Sequence, residues 1–262
     1  MKISAVVSVG LLLAVSQPST QKHIAPRIVG GSDARAGQFP YAAAIYITKP
    51  DSTTFCGGVL LSNLWVLTAA NCIQGATMTR VQLGSTQLSG IDPNRLVVAS
   101  DNLVFHPLFD PETLDYNLGL IMFRMAIILD DYIKPTSFFP ITDLPGSAPV
   151  TALGWGQIND EVAGVHNDLQ YVQVATLTNE ECKLVYGSVI TDDMVCVSGN
   201  YNEGICRGDN GSPLIQNVGG GHTLIVAIAS FVSTNGCEST DPSGYTRVFP
   251  NKEWISNVTG IR

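Results

Sequence analysis

From Tyr41 onward the chain runs in short apolar and β-branched stretches separated by turn formers, and almost nowhere shows the three-to-four-residue spacing of an amphipathic helix. Tyr41–Ile47, Gly58–Leu61, Trp65–Ala69, Thr79–Leu83, Leu96–Val104 and Leu118–Phe123 make a first set of such stretches. Val150–Trp155, Gln170–Ala175, Met194–Val197, Pro213–Gln216, Leu224–Ser233 and Gly244–Val248 make a second. They are rich in Val, Ile, Thr and aromatic residues, which suit a pleated, half-buried surface. Gly90-Ile91-Asp92-Pro93 and Gly219-Gly220-Gly221 are among the breaks between them. Many short strands without intervening helices predict an all-β barrel or sandwich. Only Pro250–Val258, near the end, has helical spacing, with Trp254 on its inward face.

The N-terminus departs from this pattern. Met1-Lys2 is followed by an apolar run from Ile3 to Val15 that ends in Ala14-Val15-Ser16. An early lysine, a short apolar core and a small-residue exit describe a secretory signal peptide spanning residues 1–16. A membrane anchor is the competing reading, but a bilayer-spanning helix needs roughly 20 apolar residues. Pro18 to Arg27 is polar and proline-bearing and stops at a basic residue.

Charge and cysteines narrow the function classes. The whole chain carries a net charge of −8, and residues 28–262 hold 11 basic against 22 acidic side chains, or −11. That sign argues against nucleic acid, heparin or an anionic membrane as a partner. Six cysteines in an exported chain predict three disulfides, with 15 connectivities open. No close Cys-x-x-Cys pair and no His-rich or carboxylate-rich cluster is present, so no metal or other cofactor is expected.

Cys206-Arg207-Gly208-Asp209-Asn210-Gly211-Ser212-Pro213 resembles the nucleophile loop of the trypsin/chymotrypsin-like serine proteases, with Asn210 where the family has its serine. Ile28-Val29-Gly30-Gly31 resembles the family's activation junction. The resemblance covers residues 28–262 and implies two six-stranded antiparallel β-barrels with a short C-terminal helix and a linker near residues 135–140. It also implies the pairs Cys56–Cys72, Cys182–Cys196 and Cys206–Cys237. Residues 17–27 would be an activation propeptide cut after Arg27, freeing the Ile28 amine to pair with Asp209. An inherited junction that is no longer cut is the alternative.

The family's catalytic segments are present with altered chemistry. Thr68-Ala69-Ala70-Asn71-Cys72 is similar to Thr-Ala-Ala-His-Cys, which puts Asn71 in place of the general-base histidine. Aligning Leu120-Ile121 with the family's aspartate segment puts Asn117 at the third position, and leaves Asp115 as a solvated loop acid. An amide neither takes a proton near neutral pH nor attacks a carbonyl. The residues thus imply a non-catalytic homologue. His106, in a family loop, is expected to be structural, and Ser212 to face the core rather than act as a substitute nucleophile.

Other implied features concern binding. The N–H groups of Gly208 and Asn210 occupy the oxyanion-hole positions. Gly204, Val232 and Ser243 occupy the primary specificity pocket, which Val232 narrows as in elastase-like members, and which reads as uncharged. Ser230–Ser233 is the strand a peptide would pair with. Asp241–Val248 is similar to the corresponding segment of arthropod digestive proteases. Asn257-Val258-Thr259 is a glycosylation sequon. Residues 73–91 hold no Asp or Glu, so a calcium loop is not expected. The expectation is therefore a secreted, monomeric protein that binds a protease, inhibitor or peptide. An active chymotrypsin/elastase-like endopeptidase and a vestigial structural protein are the alternatives.

Overall fold

The computed structural model describes residues 31–136, 140, 142–199, 203–220 and 222–261. The signal peptide, the propeptide, Arg27 and Ile28 lie outside the described residues, as do residues 137–139 of the linker. Among the described residues, no helix is long and apolar enough to cross a membrane.

The first barrel is built from β2 (Ala42–Lys49), β3 (Ser52–Leu60), β4 (Trp65–Thr68), β5 (Met78–Leu83), β6 (Leu96–Ser100), β7 (Asn102–Phe105) and β8 (Gly119–Met122). All pairings are antiparallel, in the order β6-β5-β2-β3-β4-β8-β7. Only Asp101 separates β6 from β7, although they lie at opposite edges, so the sheet curls until its edges meet there. Ser100 fastens the seam: its Oγ donates to the Met122 carbonyl at 2.5 Å, and its own carbonyl accepts from Thr79 Oγ1 at 2.7 Å. The predicted strand Leu96–Val104 is thus one bent segment serving two edges. Ile45, Val59, Val66, Leu83 and Leu120 are fully buried inside.

The second barrel comprises β9 (Pro149–Gly154), β10 (Gln170–Leu177), β11 (Met194–Val197), β12 (Pro213–Asn217), β13 (Thr223–Phe231) and β14 (Ser243–Arg247). Its order is β10-β11-β14-β13-β12-β9, and β9 pairs back to β10, which closes the ring of six. A short β1 (Ser32–Asp33) adds to β10. Ala152, Leu214, Ala227, Ala229 and Tyr245 fill this core.

Three α-helices are found among the described residues. α1 (Ala70–Ile73) follows β4 directly, and α3 (Lys252–Thr259) falls where helical spacing predicted one. Trp254 of α3 packs edge-on against His106, with ring centroids 4.7 Å apart. α2 (Asn179–Tyr186) was not anticipated, although Thr178 and Glu181 form a capping box in which each side chain accepts from the other's backbone N–H. Cys182 ties α2 to Cys196 on β11. The disulfides Cys56–Cys72, Cys182–Cys196 and Cys206–Cys237 are those the resemblance implied.

Candidate functional site

Asn71, Asn117 and Asn210 are set by three different elements along the seam between the barrels. Asn71 is the second residue of α1, whose next residue is clamped to β3 by Cys56–Cys72. Asn117 is fully buried just ahead of β8. Its Oδ1 accepts the Asn71 backbone N–H at 2.9 Å, and its Nδ2 donates to Ser230 Oγ on β13 at 2.8 Å. A backbone N–H can only donate, so the Asn117 amide must turn its oxygen to Asn71 and its nitrogen to Ser230. One side chain thereby links the two barrels. Asn71 is half-buried, and its Oδ1 is sealed from solvent without a hydrogen-bond partner among the described residues.

Asn210 sits on the turn leading into β12. The turn is stitched to both barrels: Gly57 N–H donates to the Asn210 carbonyl, and Gly211 N–H to the Ala229 carbonyl, each at 2.8 Å. Gly211 has φ +83°, and a Cβ there would collide with Thr68 Oγ1 and the Gly57 carbonyl. The tight turn therefore demands glycine for its handedness and for space. Gly208, at φ +100°, turns the chain on the other side. The N–H groups of Gly208 and Asn210 donate to no protein acceptor among the described residues. Ser212 is 2 % exposed, and its side chain packs against Gly57 and Gly154, away from the cleft.

Beneath the turn, Asp209 is completely buried. Its carboxylate accepts from Gly156 N–H at 2.7 Å and Cys206 N–H at 2.9 Å. Burial pushes its pKa up to about 7, against the two backbone donors that favour the charged form. Neither Gly154 nor Gly156 leaves room for a Cβ beside this carboxyl group.

Gly204, Val232 and Ser243 do line one cavity, of about 10 Å³, room for a single water. Where the resemblance implies an uncharged pocket, Glu203 and Asp241 also line the cavity. Asp241 Oδ2 accepts from Ser233 Oγ at 2.7 Å and from Asn235 Nδ2 at 2.8 Å, and these bonds hold its carboxyl below the usual carboxylate range. Gly204 itself brings no acid.

Asp115 also differs from expectation: it is half-buried, not solvated, and its Oδ1 accepts from Thr191 Oγ1 at 2.6 Å. Sequence reasoning missed the group that holds this loop. Asp193 accepts from Tyr116 N–H at 2.9 Å and from Asn251 Nδ2 at 2.6 Å, joining the segment before Asn117 to the start of α3. Burial raises the pKa of Asp193. His106 is buried and stacked on Tyr116 at 4.8 Å, and burial lowers its pKa, in keeping with a packing role. Asp160, Cys206 and Cys237 bring three potential ligand atoms together, but the two sulfurs are joined to each other and cannot bind a metal.

A family model described as Trypsin matches residues 28–255, most of the chain. The chain belongs to the trypsin family. Among its relatives are Brachyurin of Leptuca pugilator, 34% identical over 234 residues, with 89% of this chain and 99% of the relative covered. Collagenase of Hypoderma lineatum is 33% identical over 240 residues, covering 90% and 88%. The solved structure of HL collagenase superposes with a TM-score of 0.79 at 33% identity, covering 88% of this chain and 98% of the other. Asn117 accepts from the Asn71 backbone N–H and donates to Ser230 of the second barrel, and Asn210 stands on a turn bonded to Gly57 of the first.

Proposed function

We propose that this chain is a secreted trypsin-family protein that holds a peptide or protein segment in its cleft without cutting it, and so acts as a decoy, cofactor or regulator of proteases or their inhibitors. The observation that carries this reading is the set Asn71, Asn117 and Asn210. A carboxamide has no ionisable hydroxyl at position 210 and no basic nitrogen at position 71, so nucleophilic attack and general-base catalysis both lack their groups.

Binding does not need those groups. The free N–H groups of Gly208 and Asn210 would hold a carbonyl oxygen, and the Ser230–Ser233 segment would pair with an extended peptide by strand addition. A small side chain would enter at Gly204, Val232 and Ser243. Cleavage after Arg27 would release Ile28 to neutralise Asp209. Export would follow from residues 1–16, and Asn257, exposed on α3, would carry a glycan.

A second reading, an active serine endopeptidase, is favoured by the names of relatives such as Collagenase and Serine protease SP24D of Anopheles gambiae. Binding is tested by titrating the cleaved protein with an extended peptide bearing a small apolar side chain. Saturable binding is expected, and it should weaken by about tenfold when the strand-pairing amides are N-methylated, because main-chain bonds supply much of the affinity of strand addition. No saturable binding at any peptide concentration would leave the cleft vestigial.

A further inference from the structure

The sequence contains two Asn-Gly pairs, Asn210-Gly211 and Asn235-Gly236. Glycine after asparagine leaves the following backbone nitrogen unobstructed, so that it can reach the side-chain carbonyl carbon. The fold treats the pairs differently. The Gly211 N–H is committed to the Ala229 carbonyl at 2.8 Å, inside a turn that Gly57 also clamps. Asn235 is exposed on the loop after β13, and the Gly236 N–H reaches the Ser233 carbonyl only at 3.3 Å, the long end of hydrogen bonding.

We propose that Asn235 is a deamidation site, and that its conversion unlocks one wall of the cavity at Gly204, Val232 and Ser243. The backbone nitrogen of Gly236, giving up its proton to solvent base, attacks Cγ of Asn235. A C–N bond forms, the carboxamide C–N bond breaks, and the nitrogen leaves as ammonia with a proton from solvent. Water then opens the five-membered imide at either carbonyl, leaving aspartate or isoaspartate at position 235. No oxidant, metal or second enzyme enters the sequence.

The consequence follows from the donor inventory. Asn235 Nδ2 now donates to Asp241 Oδ2, the same oxygen that accepts from Ser233 Oγ. A carboxylate at position 235 can only accept, so the bond becomes a like-charge contact. The far side of the loop keeps its ties, since Asp160 accepts from the N–H groups of Cys237 and Glu238, and Cys237 is held by its disulfide. Loosening is therefore confined to Ser233–Gly236 and Asp241, which meet at the Asp241 carboxylate and line the cavity through Ser233, Gly236 and Asp241. None of this depends on whether the cleft cuts, holds or ignores peptides.

The test is to incubate the purified full chain at mildly alkaline pH and to follow both asparagines by peptide mapping that resolves aspartate from isoaspartate. Asn235 should convert about tenfold or more faster than Asn210, where the attacking Gly211 nitrogen is freed only by opening of the barrel turn. Asn235→Gln should abolish conversion at that position. In Asn235→Asp, the amides of Asn235, Gly236 and Asp241 should exchange hydrogen faster than in the parent, with those of Cys237, Glu238 and the strands unchanged. Asn235 remaining intact while a synthetic peptide spanning residues 230–240 converts would overturn the proposal, as would conversion of Asn210 at an equal rate. Unchanged exchange in Asn235→Asp would overturn the unlocking of the wall.

Discussion

Introducing Asn71→His, Asn117→Asp and Asn210→Ser together, in protein cleaved after Arg27, is expected to raise peptide turnover by about 10⁴–10⁶ over the parent. Each replacement alone should leave turnover near the parent level. In a working triad, removing the serine or the histidine alone costs about as much as removing all three members, so restoring one restores nothing measurable. The scaffold for the restored groups is in place: Asn117 already receives the Asn71 backbone N–H and already touches Ser230. An aspartate at 117 would accept from both neighbours once the Ser230 hydroxyl rotates to donate. The assay is a rate with a peptide carrying a small side chain for the narrow cavity. A triple variant no faster than the parent would mean that the cleft is impaired beyond these three residues, with Ser212 behind the turn the first place to look.

The second large effect belongs to Asp209. Its folded pKa is raised from 3.8 to about 7, so the uncut protein binds this proton more tightly when folded than when unfolded. The contribution is favourable only while the group is protonated in both states, below about pH 4. It is lost as pH rises from there to about 7, a swing on the order of 4 kcal/mol from a shift of about three units. Urea unfolding of an uncleavable Arg27→Gln form should therefore show stability falling over that window, and Asp209→Asn should flatten the fall. Cleaved protein should lose the fall as well, if the Ile28 ammonium pairs with the carboxylate as the family resemblance implies. Removing the carboxylate after cleavage would then strand a buried ammonium, at about 3–5 kcal/mol. A cut form with the same pH profile as the uncut one would disconnect Ile28 from Asp209.

The strands were legible because apolar and β-branched runs bounded by turn residues survive any register, and Met194–Val197 falls where it was expected. Less legible were features that depend on where chain ends meet. Asp101 breaks a run that reads as one strand, because a single segment must serve both edges of a curled sheet. The polar start of β3, Ser52-Thr53-Thr54, pairs with β2 without any apolar signal of its own. α2 could have been found, since Thr178 and Glu181 stand at capping-box spacing.

At the site, Asn71, Asn117 and Asn210 could be located through local motifs, but the direction of the Asn117 amide needed its two partners, 46 and 113 residues away in sequence. Asp193 carried no motif, because its role is to receive Tyr116 and Asn251 from distant elements. The charge of the cavity is illegible for the same reason: Glu203 and Asp241 lie on separate loops that the fold brings to one cavity, and Asp241 is bonded there to Ser233 and Asn235.

The most direct measurement is hydrolysis by the parent protein itself, purified, cut after Arg27, and incubated with a library of peptides bearing small apolar side chains under mass-spectrometric detection. Peptides recovered whole, at the rate of loss seen in buffer, are the expected result. Peptides cut faster than in buffer, by activity that follows the protein through purification and disappears on unfolding, would contradict the proposal that Asn71, Asn117 and Asn210 leave this cleft able to hold a peptide and unable to cut it.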